Sequence, residues 1–138
     1  KEDTKMTKTK EKDRAKDQAA CQLESIIEMV DALETAKTDR DREAVEQTIH
    51  EDPLSVEVRG GWYTLDHPEN GAELAEYRIL LCTGGPAVRI VGDLTEHGEP
   101  ESARIEYQAW GTPWTDFPID NDQEEKLLTY CRQFYFGE

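Results

Sequence analysis

Apolar residues recur along this chain in two rhythms, and the change from one to the other divides it. Ala19, Leu23, Ile26, Val30 and Leu33 fall at alternating steps of four and three, with Ile27 and Met29 beside them. That spacing gathers them on one stripe of a helix. The same register then places Lys37 and Arg40 on the stripe, which ends it. Thr38 and Asp39 offer side-chain oxygens to cap a second helix through Ile49, with Ala44, Val45, Thr48 and Ile49 as its face and Pro53 as its stop. Two helices, or one kinked helix, are expected over 19–50.

Period-two alternation follows. Leu54, Val56 and Val58 lie on one face of a strand, and Ser55, Glu57 and Arg59 lie on the other. Gly60 and Gly61 close it. Trp62–Leu65 reads as a possible short strand, Asp66–Gly71 as a loop, and Glu76–Cys82 and Ala87–Leu94 as two further strands. Ser102–Trp110 alternates most cleanly, with Ala103, Ile105 and Tyr107 inward and Arg104, Glu106 and Gln108 outward. After an aromatic, proline-bearing loop (WGTPWTDFPIDND), Leu127, Leu128, Cys131, Phe134 and Tyr135 restore helical spacing. Asp120, Asn121 and Asp122 can cap that helix, Glu124 and Glu125 favour its positive end, and Gly137 suits its stop. The expected fold is a single α+β domain over 19–138: N-terminal helices, an antiparallel sheet of four to five strands within 54–110, and a C-terminal helix over 121–136. Residues 1–18 have no apolar side chain but Met6 and Ala15, so a disordered or frayed helical lead-in is expected there.

The stretch LCTGGPAVRI (81–90) tests for nucleotide chemistry. A phosphate-binding loop runs from strand to helix and ends in Gly-Lys-Ser/Thr. Here no lysine follows the glycines, Pro86 removes an amide donor, and a β-branched strand comes next. The stretch therefore reads as a hairpin turn. Cys21, Cys82 and Cys131 are far apart in apolar segments, and His50, His67 and His97 each stand alone. Buried free thiols are expected, with no metal, no cofactor and no catalytic residue.

Charge changes the picture most. The formal net is −15. Residues 1–18 hold seven Lys/Arg against five Asp/Glu, so 19–138 hold nine against 26, a net of −17. Such a body repels nucleic-acid backbones and anionic membranes and attracts basic partners. No apolar run approaches the ~20 residues of a membrane span. A charged start without a signal-peptide pattern gives a cytoplasmic expectation.

Three surfaces are candidates for function. The tract from Asp93 to Glu125 holds ten carboxylates and, before Lys126, only Arg104 as a cation. Its Glu96, Glu99, Glu101, Glu106, Asp116, Asp120, Asp122 and Glu124, with Trp110 and Trp114 of the aromatic loop, form the expected partner-binding set. Carboxylates can imitate the charge spacing of duplex DNA, about one per ~1.7 Å of axis, while a few aromatics carry lasting affinity. The stripe of Leu23, Ile26, Val30 and Leu33 is a possible homodimer seam, although packing on its own sheet is the commoner outcome for two heptads.

The segments LCTGGPAVRI, EYQAWGTPW and LLTYCRQFYFGE resemble a group of small uncharacterised proteins of bacteriophage and prophage genomes, over roughly residues 50–138. The resemblance assigns no activity and no functional residue. It implies a context, a host-cell cytoplasm, in which small acidic proteins often block nucleic-acid-handling machinery, as anti-CRISPR and anti-restriction factors do. The expected function is thus non-enzymatic: inhibition of a basic, nucleic-acid-binding host protein. Alternatives are a structural or assembly protein that self-associates through its N-terminal helix, or a small-ligand module or enzyme.

Overall fold

The two rhythms resolve into a helical layer laid against one face of an antiparallel sheet, the α+β arrangement expected. The computed structural model describes residues 2–68, 74–134 and 136, with side chains from residue 10 onward. Helix α1 spans Glu2–Thr35 and α2 spans Asp39–Glu51. Strands β1 (Ser55–Gly60), β2 (Leu74–Cys82), β3 (Ala87–Asp93), β4 (Arg104–Gln108) and β5 (Thr115–Phe117) follow, and α3 covers Asn121–Cys131. The sheet order is β1-β2-β3-β4-β5, each neighbour antiparallel, so every connection is local.

The α1 stripe is the heart of the core. Ala15, Ala19, Leu23, Ile26 and Val30 are buried, and α1 lies along α3 and across β3, β4 and β5. The helical part therefore begins well before the expected Ala19. Alanine at 15 and 19 lets the backbone approach its neighbours closely, which extends the stripe one turn into the charged segment. Leu23, Ile26 and Val30, the possible homodimer seam, are used within the chain, and only Leu33 is half-buried. The buried part of the stripe is covered by the chain's own sheet and α3 and is not free to meet a second copy.

Local chemistry sets the helix ends. The Thr38 hydroxyl accepts the Asp41 amide at 3.1 Å, capping α2. Of the expected α2 face, Ile49 is buried and Val45 half-buried, while Ala44 and Thr48 are exposed. Asp120 accepts the Gln123 amide at 2.8 Å and Gln123 Oε1 accepts the Asp120 amide at 2.9 Å, a reciprocal capping box at the start of α3. Helix α3 stops at Cys131, short of the expected 136. Gln133 and Phe134 amides turn back to the Tyr130 and Cys131 carbonyls, and the chain then packs Phe136 on Tyr77 with ring centroids 5.2 Å apart. The expected roles of Tyr135 and Gly137 lie outside the described residues, as does the end of the Asp66–Gly71 loop.

In the sheet, Tyr77, Ile79, Val88, Ile90, Ile105 and Tyr107 point into the core. Thr83–Pro86 joins β2 to β3 as a hairpin, with Gly84 at φ 96°, where a side chain would be strained. Trp62–Leu65 forms no strand. The fifth strand is instead β5, which lies inside the expected aromatic loop and beyond residue 110. Three residues between Pro113 and Pro118 suffice for it: Thr115 opposes Tyr107, Asp116 opposes Glu106, and Phe117 opposes Ile105. Leu54, Val56 and Val58 alternate as expected but remain exposed, because the helical layer does not reach β1.

Candidate functional site: an acidic rim and a charge-balanced sheet face

Strand alternation sends charged side chains to the face of the sheet opposite the helices, and register decides what they meet. Arg59 contacts Glu76, its direct cross-strand partner. Arg78 lies 2.9 Å from its partner Glu57, and Arg89 Nε donates to its partner Glu106 at 2.8 Å. Arg104 stands 4.0 Å from Asp116 on β5. The Arg89 guanidinium also stacks on the Trp114 ring, 3.9 Å from its centroid. Arg89 and Glu106 are the most covered of these pairs, with side chains 19% and 13% exposed. These residues line most of a shallow groove of about 340 Å³. Four arginines against Glu57, Glu76, Asp93, Glu106 and Asp116 make this face almost neutral.

The excess negative charge lies elsewhere. Residues 19–52 hold ten carboxylates against Lys37, Arg40 and Arg42, and segments 94–101 and 118–125 hold seven against none. Those stretches account for 14 of the 17 net negative charges of residues 19–138. Three contacts join parts of them into a rim. Lys126 Nζ on α3 reaches Asp31 at 2.7 Å and Glu34 at 3.1 Å on α1, and the hydrogen bonds from both raise its pKa. The Ala103 amide donates to Glu124 at 3.4 Å, and Arg132 donates to the Pro100 carbonyl at 3.3 Å. The last two tie the β3–β4 connection to α3.

The expected partner-binding residues therefore separate into three places. Glu96, Glu99, Glu101, Asp120, Asp122 and Glu124 belong to the rim, though Asp120 is committed to its cap and Glu124 to the Ala103 amide. Glu106, Asp116 and Trp114 belong to the balanced face. Trp110 is 86% exposed at the other end of β4. Glu101 precedes β4 and Trp110 follows it, so the five residues of the strand separate Trp110 from the β3–β4 part of the rim. Asp31 and Glu34 are rim residues that lie outside the expected set. Their signal was present in residues 17–36, which contain five carboxylates and no Lys or Arg.

The largest shifts in proton affinity occur in the core, away from the rim. Burial pushes the Cys131 thiol up to about 12 and raises the phenols of Tyr77 and Tyr130. Tyr130 donates to Asp52 at 2.7 Å and Tyr77 to the Ser102 carbonyl at 2.6 Å. Among the described residues, no three His, Cys, Asp or Glu side chains are grouped to hold a metal ion, and no helix is long and apolar enough to cross a membrane. No protein-family model matches the chain, and neither curated proteins nor solved structures provide a match.

Proposed function

We propose that this protein is a non-enzymatic inhibitor that binds a basic, nucleic-acid-handling host protein through its acidic rim, in place of nucleic acid. The observation that carries the reading is the segregation of charge. A solubility device needs only a net excess, spread anywhere on the surface. Here one broad face is neutralised pair by pair, while carboxylates collect at the α1–α3 junction, which Lys126 bridges, and on the β3–β4 connection. Such a surface accelerates encounter with a positive cleft, and close carboxylates can stand in for phosphates. The resemblance to small phage and prophage proteins supports a target in host defence, of the CRISPR or restriction class. The assembly alternative is weakened because the stripe it relied on is core.

The test is competition. The protein is immobilised, basic nucleic-acid-binding proteins are captured from bacterial lysate after nuclease treatment, and duplex DNA is added to the purified partner. DNA should release the partner, and capture should weaken steeply with salt. A partner that holds DNA and this protein together, without mutual displacement, contradicts the mimicry reading.

A further inference from the structure

Six of the seven exposed large apolar side chains among the described residues lie between 54 and 65: Leu54, Val56, Val58, Trp62, Tyr63 and Leu65. Trp62 is fully exposed and Leu65 93% exposed. Val56 and Val58 oppose Ile79 and Tyr77, so they lie on the core side of the sheet, beyond the reach of the helices. Strand β1 is also the sheet's first edge, with one backbone side unpaired by any strand. Edges are usually guarded by proline, by inward charges or by shortness. The opposite edge, β5, is three residues long between Pro113 and Pro118. β1 has six residues, no proline, and valine at core-side positions 56 and 58, and its one register irregularity falls at its end, between Arg59 and Gly60.

We infer that β1 is the interface of a homodimer, in which two copies pair antiparallel about a two-fold axis at Val58 and join their sheets edge to edge. Charge selects this occupant and this register. A two-fold perpendicular to the sheet keeps each face on its own side, so a residue can oppose only one of matching parity. Centring the axis on Glu57 or on Arg59 sets like charges against each other. Centring it on Val56 puts Glu57 against serine. Centring it on Val58 sets Glu57 against Arg59 of the other copy twice, with valine on valine between them. The exposed apolar surface reaches the low end of interface sizes. Aromatic side chains bury ~150–250 Å² each, so Trp62 and Tyr63 with the four aliphatic residues offer on the order of 500 Å² of apolar area, against the ~800 Å² per partner of a standard interface. Backbone pairing adds the remainder. Trp62 shares a groove with Glu96 of the rim, but the dimer rests on β1 and is read by sedimentation, whereas the inhibitory reading is read by partner capture, so the two can fail separately.

Sedimentation and cysteine cross-linking test the inference. The parent protein should sediment as a dimer, and Val58→Lys should raise the dimer dissociation constant at least about tenfold while leaving the circular dichroism spectrum unchanged. In a Cys21→Ser background, Val58→Cys should form an interchain disulfide on mild oxidation, because paired Cβ atoms about 4.5–5.5 Å apart need only a small adjustment. Val56→Cys, which would face Gly60 of the other copy, should not. A monomeric parent, a dimer that survives Val58→Lys, or cross-linking at 56 in preference to 58 would overturn it. If Val58→Lys fails to fold, the cysteine pair still decides.

Discussion

Cys131 and Gly92 show how far single residues are governed by what surrounds them. Cys131 is fully buried, and desolvation raises its thiol from 9.0 to about 12. The folded chain therefore holds that proton after the unfolded chain has released it. Stability from this group is complete below about pH 9 and declines as pH rises toward 12. Urea unfolding followed between pH 9 and 10 should show that decline, and Cys131→Ala should reduce its slope by up to about one proton. Alkylation at neutral pH should mark Cys21 first, since it is exposed, and leave Cys131 unmodified. Labelling of Cys131 ahead of Cys21 would show that this region opens. At Gly92 the constraint is steric. A Cβ there would sit 1.9 Å from the Ser102 carbonyl oxygen and 2.8 Å from the Tyr77 ring. Backbone cannot yield as a side-chain tip does, so Gly92→Ala should cost at least ~3 kcal/mol by chemical denaturation, the upper end for overpacked sites. Nothing in the sequence distinguishes Gly92 from the turn glycines, because its crowding comes from Ser102 in the β3–β4 connection and from a tyrosine on β2.

At the scale of elements, local rules were legible and tertiary assignment was less so. Thr38 and Asp120 cap the helices they precede, and the TGGP segment is a turn. β5 escaped because three residues between prolines carry no period that a pattern can show, and only pairing with β4 makes them a strand. Val56 and Val58 were readable as a strand face but not as an exposed one, since alternation reports which side a residue takes and not whether anything covers that side. The α1 stripe was ambiguous between its own sheet and a second copy, and only the packing resolves it. The consequence can be measured. Ile26→Glu buries a carboxylate between α1 and the sheet, and should unfold the chain instead of yielding folded monomers. Ile26→Ala should cost ~2–5 kcal/mol. A folded Ile26→Glu protein with altered oligomeric state would mean that the stripe faces another chain.

Over the whole molecule, net charge was plain in the sequence and its placement was not. The tract 93–125 looks continuous, yet β4 and β5 fold it so that Glu106 and Asp116 face arginines, while Glu99 and Glu101 lie in the β3–β4 connection and Asp122 in the first turn of α3. A surface of like charge repels itself, so added salt should raise the melting temperature by screening. The central claim is that the rim is the working surface and the balanced face is not. Association kinetics of the captured partner compare two variants of equal charge change: Glu99 and Glu101 to lysine on the rim, and Glu76 and Asp116 to lysine on the balanced face. The rim variant should associate at least about tenfold more slowly at low salt and lose most of the salt dependence, with the second variant close to the parent. Equal slowing in both variants would show that only net charge matters, and no slowing in the rim variant would show that the rim takes no part in binding.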